Sequence, residues 1–112
     1  MIDEPTCEEL AVIPNFGENR DTPPDERMIY LHFFLCSCHW YVAEFDGDNC
    51  FWGYIGYNDL LPDTGWTLFS FFKLRKMKVD GHEVICDPYW KPRPFGKRPI
   101  DLIDVELPHL TL

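Results

Sequence analysis

The chain of 112 residues is 46% apolar and 16% aromatic, which is long enough for one domain with a modest core and too apolar for a disordered chain. No run reaches the roughly 20 apolar residues of a membrane-spanning helix. The start, MIDEPTCEE, is acidic where a signal peptide would be basic. We therefore expect a soluble cytoplasmic protein without membrane contact. Five cysteines at irregular spacing favour a reduced compartment in which most of them are core thiols.

The net charge of −9 is concentrated in the first part of the chain. Residues 1 to 68 carry thirteen carboxylates and two arginines, whereas residues 69 to 112 carry eight basic and six acidic groups. Such a field repels nucleic-acid phosphates, so we expect no nucleic-acid partner except through the basic cluster from Lys73 to Arg98. The acidic surface either only keeps the protein soluble, engages a basic protein, or copies the charge of nucleic acid.

The first elements in chain order are a short helix and a loop. Thr6 is a suitable N-cap, and Glu9 three residues later completes a capping box, so a helix begins here and ends before Pro14. The polar segment from Asn15 to Arg27 contains glycine and a proline pair, which predicts a surface loop.

Three apolar runs then predict neighbouring β-strands at residues 28–35, 39–45 and 50–57. The polar residues 46–49 separate the second run from the third, which is typical of a β-hairpin with a tight turn at Gly47. The third run is apolar on both faces, since strand side chains alternate. The sheet must therefore be covered on both sides or leave one side for a partner.

The second half of the chain adds a connector, a strand, a helix and another strand. Residues 58–65 are rich in turn formers, and residues 66–69 predict a fourth strand. Ser70 is a suitable N-cap for a helix over about residues 70–79, which ends at Gly81. A last strand is predicted after it, at residues 83–90.

The remaining segment is dense in proline. From Lys91 onward it is basic and expected to be extended without ladder hydrogen bonds, and Pro99 can open a final helical turn. Residues 1–92 are therefore predicted as a single domain, followed by a proline-rich tail at 93–112. The fold class is α+β, with a mostly antiparallel sheet of four or five strands, one packed helix and a short N-terminal helix.

Four blocks of residues resemble a known pattern in the same order: Trp40 to Asp48, Phe51 to Gly53, Gly65 to Ser70, and Asp87 to Pro92. The pattern is that of the domain of unknown function 2958 family, small bacterial proteins of plasmids, phages and other mobile elements. It reads W-Y-x-x-E-x-D-G-x-D, F-F-G, E-L-G-Y-F-S-L-x-E-L and E-R-D-x-x-W-x-P. The likeness runs from about Thr6 to Pro92. It implies an accessory protein without an established activity.

The chain departs from that pattern in its charged positions. Where the family has E-L-G-Y this chain has D-T-G-W at residues 63–66, and where the family has E-R-D it has I-C-D at residues 85–87. These differences argue against a charged site built by the second and third blocks of the pattern.

Oxygen-bearing side chains cluster at the hairpin turn, namely Glu44, Asp46, Asp48 and Asn49, with Asp59 or Asp87 as a further candidate. Calcium or magnesium prefers such ligands. The spacing lacks the glycine and the closing glutamate of an EF-hand loop, and aspartate and asparagine are also the residues that a tight turn uses for its own backbone. Turn chemistry is the default interpretation, and we expect no cofactor.

Glu44 differs from its neighbours because it lies within a strand. Alternation places it on the face of Trp40 and Val42, so we expect a partly buried carboxylate that needs a partner. Lys73, Arg75 and Arg93 are the candidate partners. A structural salt bridge is the favoured interpretation, and a catalytic acid is the alternative.

Cysteines and histidines suggest a second constellation. Cys36, Cys38, His82 and Cys86, with His39 beside them, are weak candidates for a structural zinc site, since four thiolate or imidazole ligands suffice. The C-x-C spacing is tighter than the usual knuckle, so core thiols and surface histidines are the default. No glycine-rich phosphate loop and no nucleophile elbow is present.

The aromatic residues exceed what a small core usually needs, which leaves core filling and an interface as two open interpretations. The candidate functional surface consists of Trp40, Glu44, Asp46, Asp48, Trp52, Trp66, Asp87 and Trp90. We favour a non-enzymatic module that binds another protein through its acidic and aromatic surface. The alternatives are a small metal-dependent or acid–base enzyme using Glu44, Asp46 and Asp87, and a nucleic-acid binder using the basic cluster.

Overall fold

A computed structural model describes residues 1–56 and 65–97. The predictions for the connector after residue 57 and for a helical turn at Pro99 lie outside the described residues. Neither described α-helix is long and apolar enough to cross a membrane. The elements are α1 (Cys7–Ala11), β1 (Met28–Ile29), β2 (Leu31–Leu35), β3 (Cys38–Phe45), β4 (Cys50–Gly56), β5 (Gly65–Ser70), α2 (Phe71–Lys76), β6 (Lys78–Val79), β7 (His82–Glu83), β8 (Ile85–Cys86) and β9 (Arg93–Pro94), with 3-10 turns at Pro24–Glu26 and Phe95–Lys97.

The fold is α+β, as predicted, and is organised around a five-stranded antiparallel sheet. Its strand order is β5-β4-β3-β2-β8. Strands β3 and β4 form the hairpin that turns at Gly47, so the central prediction is confirmed. Two small ladders, β1 with β9 and β6 with β7, complete the structure. Beyond β8, Ile2 donates to the carbonyl of Val84 and accepts from the N–H of Cys86, both at 2.9 Å.

The first face of the sheet carries the larger core and is covered by helices. Phe71 and Leu74 of α2 are buried against it, and Leu10 of α1 packs at its margin. This core contains Ile13, Leu31, Phe33, Leu35, Trp40, Val42, Phe45, Phe51, Phe71, Leu74, Val84 and Cys86. Its strand residues alternate along β2 and, as far as Val42, along β3.

The second face is covered by the chain after β8, which we call the covering segment (residues 87–97). Phe95 is buried there with Ile29, Tyr41 and Ala43, and Trp90 packs beside them. The sheet was predicted to need cover on both sides or a partner on one, and this face receives its cover from the covering segment and not from a helix. The expectation that the proline-rich segment makes no ladder is wrong, because Arg93–Pro94 pairs with Met28–Ile29. Proline is tolerated in so short an edge strand, where its missing N–H needs no partner.

Helix α2 is shorter than predicted. It ends at Lys76, and Met77 is already extended, with ψ of 130°. Asp80 and Gly81 have positive φ angles of 53° and 83°, which is the geometry of a two-residue hairpin turn between β6 and β7. Gly81 therefore turns a hairpin instead of ending the helix.

A β-bulge in β3 changes the face on which Glu44 lies. The pairing register with β4 shifts between Val42 and Glu44, and Phe45 then follows Trp40 and Val42 into the first core. The prediction that Glu44 shares their face is wrong, because a bulge inserts one residue and inverts the alternation beyond it.

Candidate interaction surface

Asp46 holds the β3–β4 turn. Its Oδ1 accepts hydrogen bonds from the backbone N–H groups of Asp48, Asn49 and Cys50 at 2.8, 2.9 and 3.0 Å. The N–H groups of Cys50 and Asp48 are the main cause of the lowered pKa of this carboxyl group, because they stabilise its charged form. The arrangement is turn chemistry, the default interpretation, and the Asp48 side chain remains exposed.

Asn49 joins this turn to the start of α2. Its Oδ1 accepts from the N–H of Phe72 at 2.6 Å, and its Nδ2 donates to Oγ of Ser70 at 3.0 Å. Ser70 Oγ in turn accepts from the N–H of Lys73 at 3.1 Å, as predicted for an N-cap. Two side chains therefore satisfy N–H groups that a helix start leaves without intrahelical partners.

Glu44 is a buried carboxylate with backbone partners. Its side chain is 4% exposed, and its two oxygens accept from the N–H groups of Gly17 and Asn19 at 3.0 and 2.9 Å. The proposed salt bridge to Lys73, Arg75 or Arg93 is not formed among the described residues. Glu44 therefore fastens the loop after α1 to the sheet.

Asp87 lies against His32 on the second face, and His39 lies on the other side of His32. His32 Nδ1 is 3.0 Å from Oδ2 of Asp87, and His32 Nε2 is 2.9 Å from Nδ1 of His39. With Asp87 ionised and His32 neutral, His32 donates to Asp87 and accepts from His39. The rings of His39 and Tyr41 stack on His32 with centroids 5.1 and 4.9 Å away. Burial lowers the pKa of His32, and the hydrogen bond to Asp87 opposes this effect.

The sequence analysis did not identify this cluster, although its two histidines could have been predicted to lie together. The two-residue turn between β2 and β3 fixes the register that pairs His32 with Tyr41 and Phe34 with His39. Alternation then places both histidines on one face, as diagonal neighbours. Asp87 carries no such signal, because only the pairing of β8 with β2 brings it to His32.

The carboxylates of the enzyme hypothesis are engaged at three separate places. Glu44 is bonded to the loop after α1, Asp46 to its own turn, and Asp87 to His32 and the N–H of Tyr89. Within residues 1–56 and 65–97, no group of three or more His, Cys, Asp or Glu side chains is placed to hold a metal ion. The candidate Asp59 lies outside the described residues.

The zinc candidates occupy different environments. Cys36 is exposed in the β2–β3 turn with φ of 54°, and His82 is exposed in the β6–β7 hairpin. Cys86 is buried in the first core, and burial raises the pKa of its thiol to about 12. Cys38 is half-buried at the margin of the same core. Among the described residues, these candidates are not gathered into a group that could hold a metal ion.

The basic cluster is divided by the sheet. Lys73 and Arg75 belong to α2 on the first face, whereas Lys91, Arg93 and Lys97 belong to the covering segment on the second. Arg75 also contacts Glu4 at 2.5 Å. The basic groups of residues 73–97, although close in sequence, therefore do not form one continuous basic patch.

Of the four tryptophans proposed for the surface, three are partly exposed on the second face. Trp40 is buried in the first core, so its place in a functional surface is wrong. Trp52 and Trp66 stack with centroids 6.2 Å apart, and Leu68 lies opposite Trp52 in the β4–β5 register. Trp90 donates from Nε1 to the carbonyl of Ile29 at 3.0 Å, which fixes the covering segment.

Strand β5 forms the outer edge of the sheet beside these residues. No described strand pairs with its outer side. The strand reads GWTLFS, without charge or proline, and its register with β4 runs unbroken over six residue pairs. Charges, prolines and bulges are the usual devices that prevent further pairing at an edge. Strand β5 carries none of them.

Comparison with known proteins adds no relative: no family model matches the chain, and neither the curated proteins nor the solved structures contain a significant match.

Proposed function

We propose that the protein is a non-enzymatic interaction module that binds another protein through the surface of β5 and the start of α2. One observation carries the proposal. Leu68 is 54% exposed and Phe72 is 52% exposed, on either side of the Ser70 cap. Leu68 lies on the second face of β5 and Phe72 in the first turn of α2. A large apolar side chain left in water on an unprotected edge strand, with a second one four residues later, is typical of a region that a partner covers.

The aromatic neighbours extend this surface. Trp52 and Trp66 are partly exposed beside Leu68, and tryptophan is enriched at the centres of protein interfaces. Arg27 lies over the Trp66 ring at 4.7 Å and holds it in place. This contact positions the Trp66 ring before a partner arrives, which lowers the entropy cost of binding at that side chain.

The enzyme alternative has less support. Its three carboxylates each satisfy backbone or histidine N–H groups at separate places, whereas catalysis requires groups that converge on one reacting atom. The accessory role on mobile elements, which the family resemblance implies, stays a prediction.

The experiment is affinity capture from the native host with the wild type and two matched double variants. Leu68→Ser with Phe72→Ser removes the two most exposed side chains of the proposed surface, and Val12→Ser with Tyr89→Ser removes large side chains elsewhere that are even more exposed. We expect a stoichiometric protein with the wild type and with the second variant, and its loss with the first. The proposal is contradicted if the first double variant captures the same protein as the wild type, or if repeated captures with the wild type recover no protein.

A further inference from the structure

We propose that the partner binds β5 as an added antiparallel or parallel strand, and that this strand is an extended segment in which apolar side chains alternate with lysine or arginine. This inference rests on the proposed function and specifies its partner. It depends on the direction of the backbone groups of β5, on the state of the opposite edge of the sheet, and on the charge of the chain.

The hydrogen-bond phase of β5 follows from one bond. In an antiparallel pair, residues bonded to the neighbouring strand alternate with residues whose N–H and C=O point away. The N–H of Phe71 donates to the carbonyl of Asn49 at 2.8 Å, and these residues stand opposite each other in the register that pairs Ser70 with Cys50. Counted back in steps of two, the bonded residues of β5 are Phe69, Thr67 and Gly65.

The outward backbone groups are therefore those of Trp66 and Leu68. Their N–H and C=O groups form the pattern that a further strand requires. The side chains of the same two residues lie on the second face next to Trp52. An added strand thus receives backbone hydrogen bonds from Trp66 and Leu68 and an apolar contact from their side chains.

The opposite edge of the sheet is already occupied. Ile2 bridges to Ile85 beyond β8, with two backbone hydrogen bonds of 2.9 Å to its neighbours. Strand β8 has only two residues, whereas β5 has six. Among the described strands of the central sheet, β5 is the one that offers a long edge for addition.

Charge decides between a second copy and a different partner. The chain carries a net charge of −9, so two copies repel each other as they approach, whereas a basic segment is attracted. Asp48, exposed in the turn beside the Ser70 end of β5, adds an acidic group near the end of the added strand. The occupant is therefore a basic strand of another protein.

The probe is a short synthetic peptide in which valine alternates with lysine. We expect it to bind the full chain and to slow hydrogen exchange at the amides of Trp66 and Leu68, with little change at Thr67. A peptide of valine alternating with glutamate, and the lysine peptide with every second amide N-methylated, should bind at least about tenfold more weakly. Equal binding of all three peptides, or protection elsewhere in the chain, overturns the inference.

A protein variant tests the backbone bond directly. Leu68→Pro removes an outward N–H and leaves the ladder to β4 intact, and Leu68→Ala is its matched control because both lose the leucine side chain. We expect Leu68→Pro to bind about tenfold more weakly than Leu68→Ala. Equal affinity overturns strand addition. If Leu68→Pro does not fold, the amide protection of the wild type decides.

Two further outcomes separate this inference from the proposed function. A native partner that is lost with the Leu68→Ser and Phe72→Ser double variant, but is captured equally by Leu68→Pro and Leu68→Ala, supports the proposed function and overturns strand addition. Sedimentation of the chain alone should show a monomer. A dimer that Leu68→Pro dissociates and Leu68→Ala does not would show that the occupant is a second copy, and would overturn the basic partner.

Discussion

The Nδ1–H of His32 donates to Oδ2 of Asp87 across 3.0 Å, and this bond ties strand β2 to the beginning of the covering segment. The same carboxylate accepts the N–H of Tyr89 through Oδ1 at 2.9 Å. Asp87 therefore sets both the position of His32 and the direction in which the chain enters the second face.

We expect stability to fall as the pH falls below about 6.5, because burial lowers the pKa of His32 in the folded state. Below its ordinary pKa the unfolded chain binds a proton at His32 that the folded chain does not bind. The contribution of neutral His32 to the free energy of unfolding is therefore complete above about pH 6.5, and it is lost as the pH falls towards the pKa of His32 in the folded state. Thermal unfolding over this range should show a weaker pH dependence in His32→Gln than in the wild type.

The control for this experiment is His82→Gln, since His82 is exposed in a hairpin. It should keep the pH dependence of the wild type. Identical slopes for His32→Gln and the wild type would assign the acid sensitivity to other groups.

Replacement of Glu44 by alanine should destabilise the protein by about 2 to 3 kcal/mol, because the N–H groups of Gly17 and Asn19 lose their acceptor in a buried place. Urea unfolding measures the difference. Glu8→Ala, at an exposed position of α1, is the control and should change stability by less than about 0.5 kcal/mol. If Glu44→Ala loses as little free energy of unfolding as the control, water replaces the carboxylate as the acceptor at no cost.

Gly53→Ala should be among the most damaging single substitutions. A Cβ at this position would lie 1.8 Å from the carbonyl oxygen of Tyr41, so the backbone of two central strands must move. We expect a loss of about 3 kcal/mol in the free energy of unfolding. Gly56→Ala is the matched control in the same strand, since its Cβ meets only the Tyr54 ring at 3.6 Å. Similar losses in both variants would contradict the close approach.

Asn49→Ala should destabilise the protein by about 1 to 2 kcal/mol, because the N–H of Phe72 loses the acceptor that helps to start α2. Asp48→Ala, one residue earlier and exposed, should have little effect. Chemical denaturation of both variants gives the comparison, and amide exchange at Phe72 and Lys73 shows whether the helix start is the part that opens. No increase in exchange there would rule out the capping role.

Cys86 should resist thiol reagents as long as the protein is folded. It is buried, and burial raises the pKa of its thiol to about 12, so little thiolate is present near neutral pH. Cys7 and Cys36 are exposed and should react first with iodoacetamide. Mass spectrometry after brief labelling, with and without denaturant, locates the modified residues. Labelling of Cys86 at the rate of Cys36 without denaturant would contradict its burial.

Parts of the fold were predictable because their causes are local. The capping box of Thr6 and Glu9 forms as expected, with bonds of 2.8 and 3.1 Å, and Ser70 caps α2. The β3–β4 hairpin follows from alternation and from the turn residues around Gly47. In each case the residues that cause the structure lie within a few positions of it.

The candidate surface was predictable only in part. Composition indicated exposed aromatic residues, and Trp52 and Trp66 lie beside the exposed Leu68. Trp40 is also a tryptophan but is buried, because its place in β3 directs its side chain to the first core. Composition cannot distinguish Trp40 from Trp52 and Trp66, since packing decides which face of each strand a helix covers.

The sequence by itself determined the helix starts, the antiparallel hairpin and an apolar sheet that needs cover on both faces. The tertiary structure decided what provides that cover, which edge of the sheet stays open, and which partners the buried Glu44 and His32 receive. These contacts join residues 25 to 55 positions apart. The bulge at Ala43 inverts the alternation that sequence reasoning relies on, so the face of Glu44 depends on the pairing of β3 with β4.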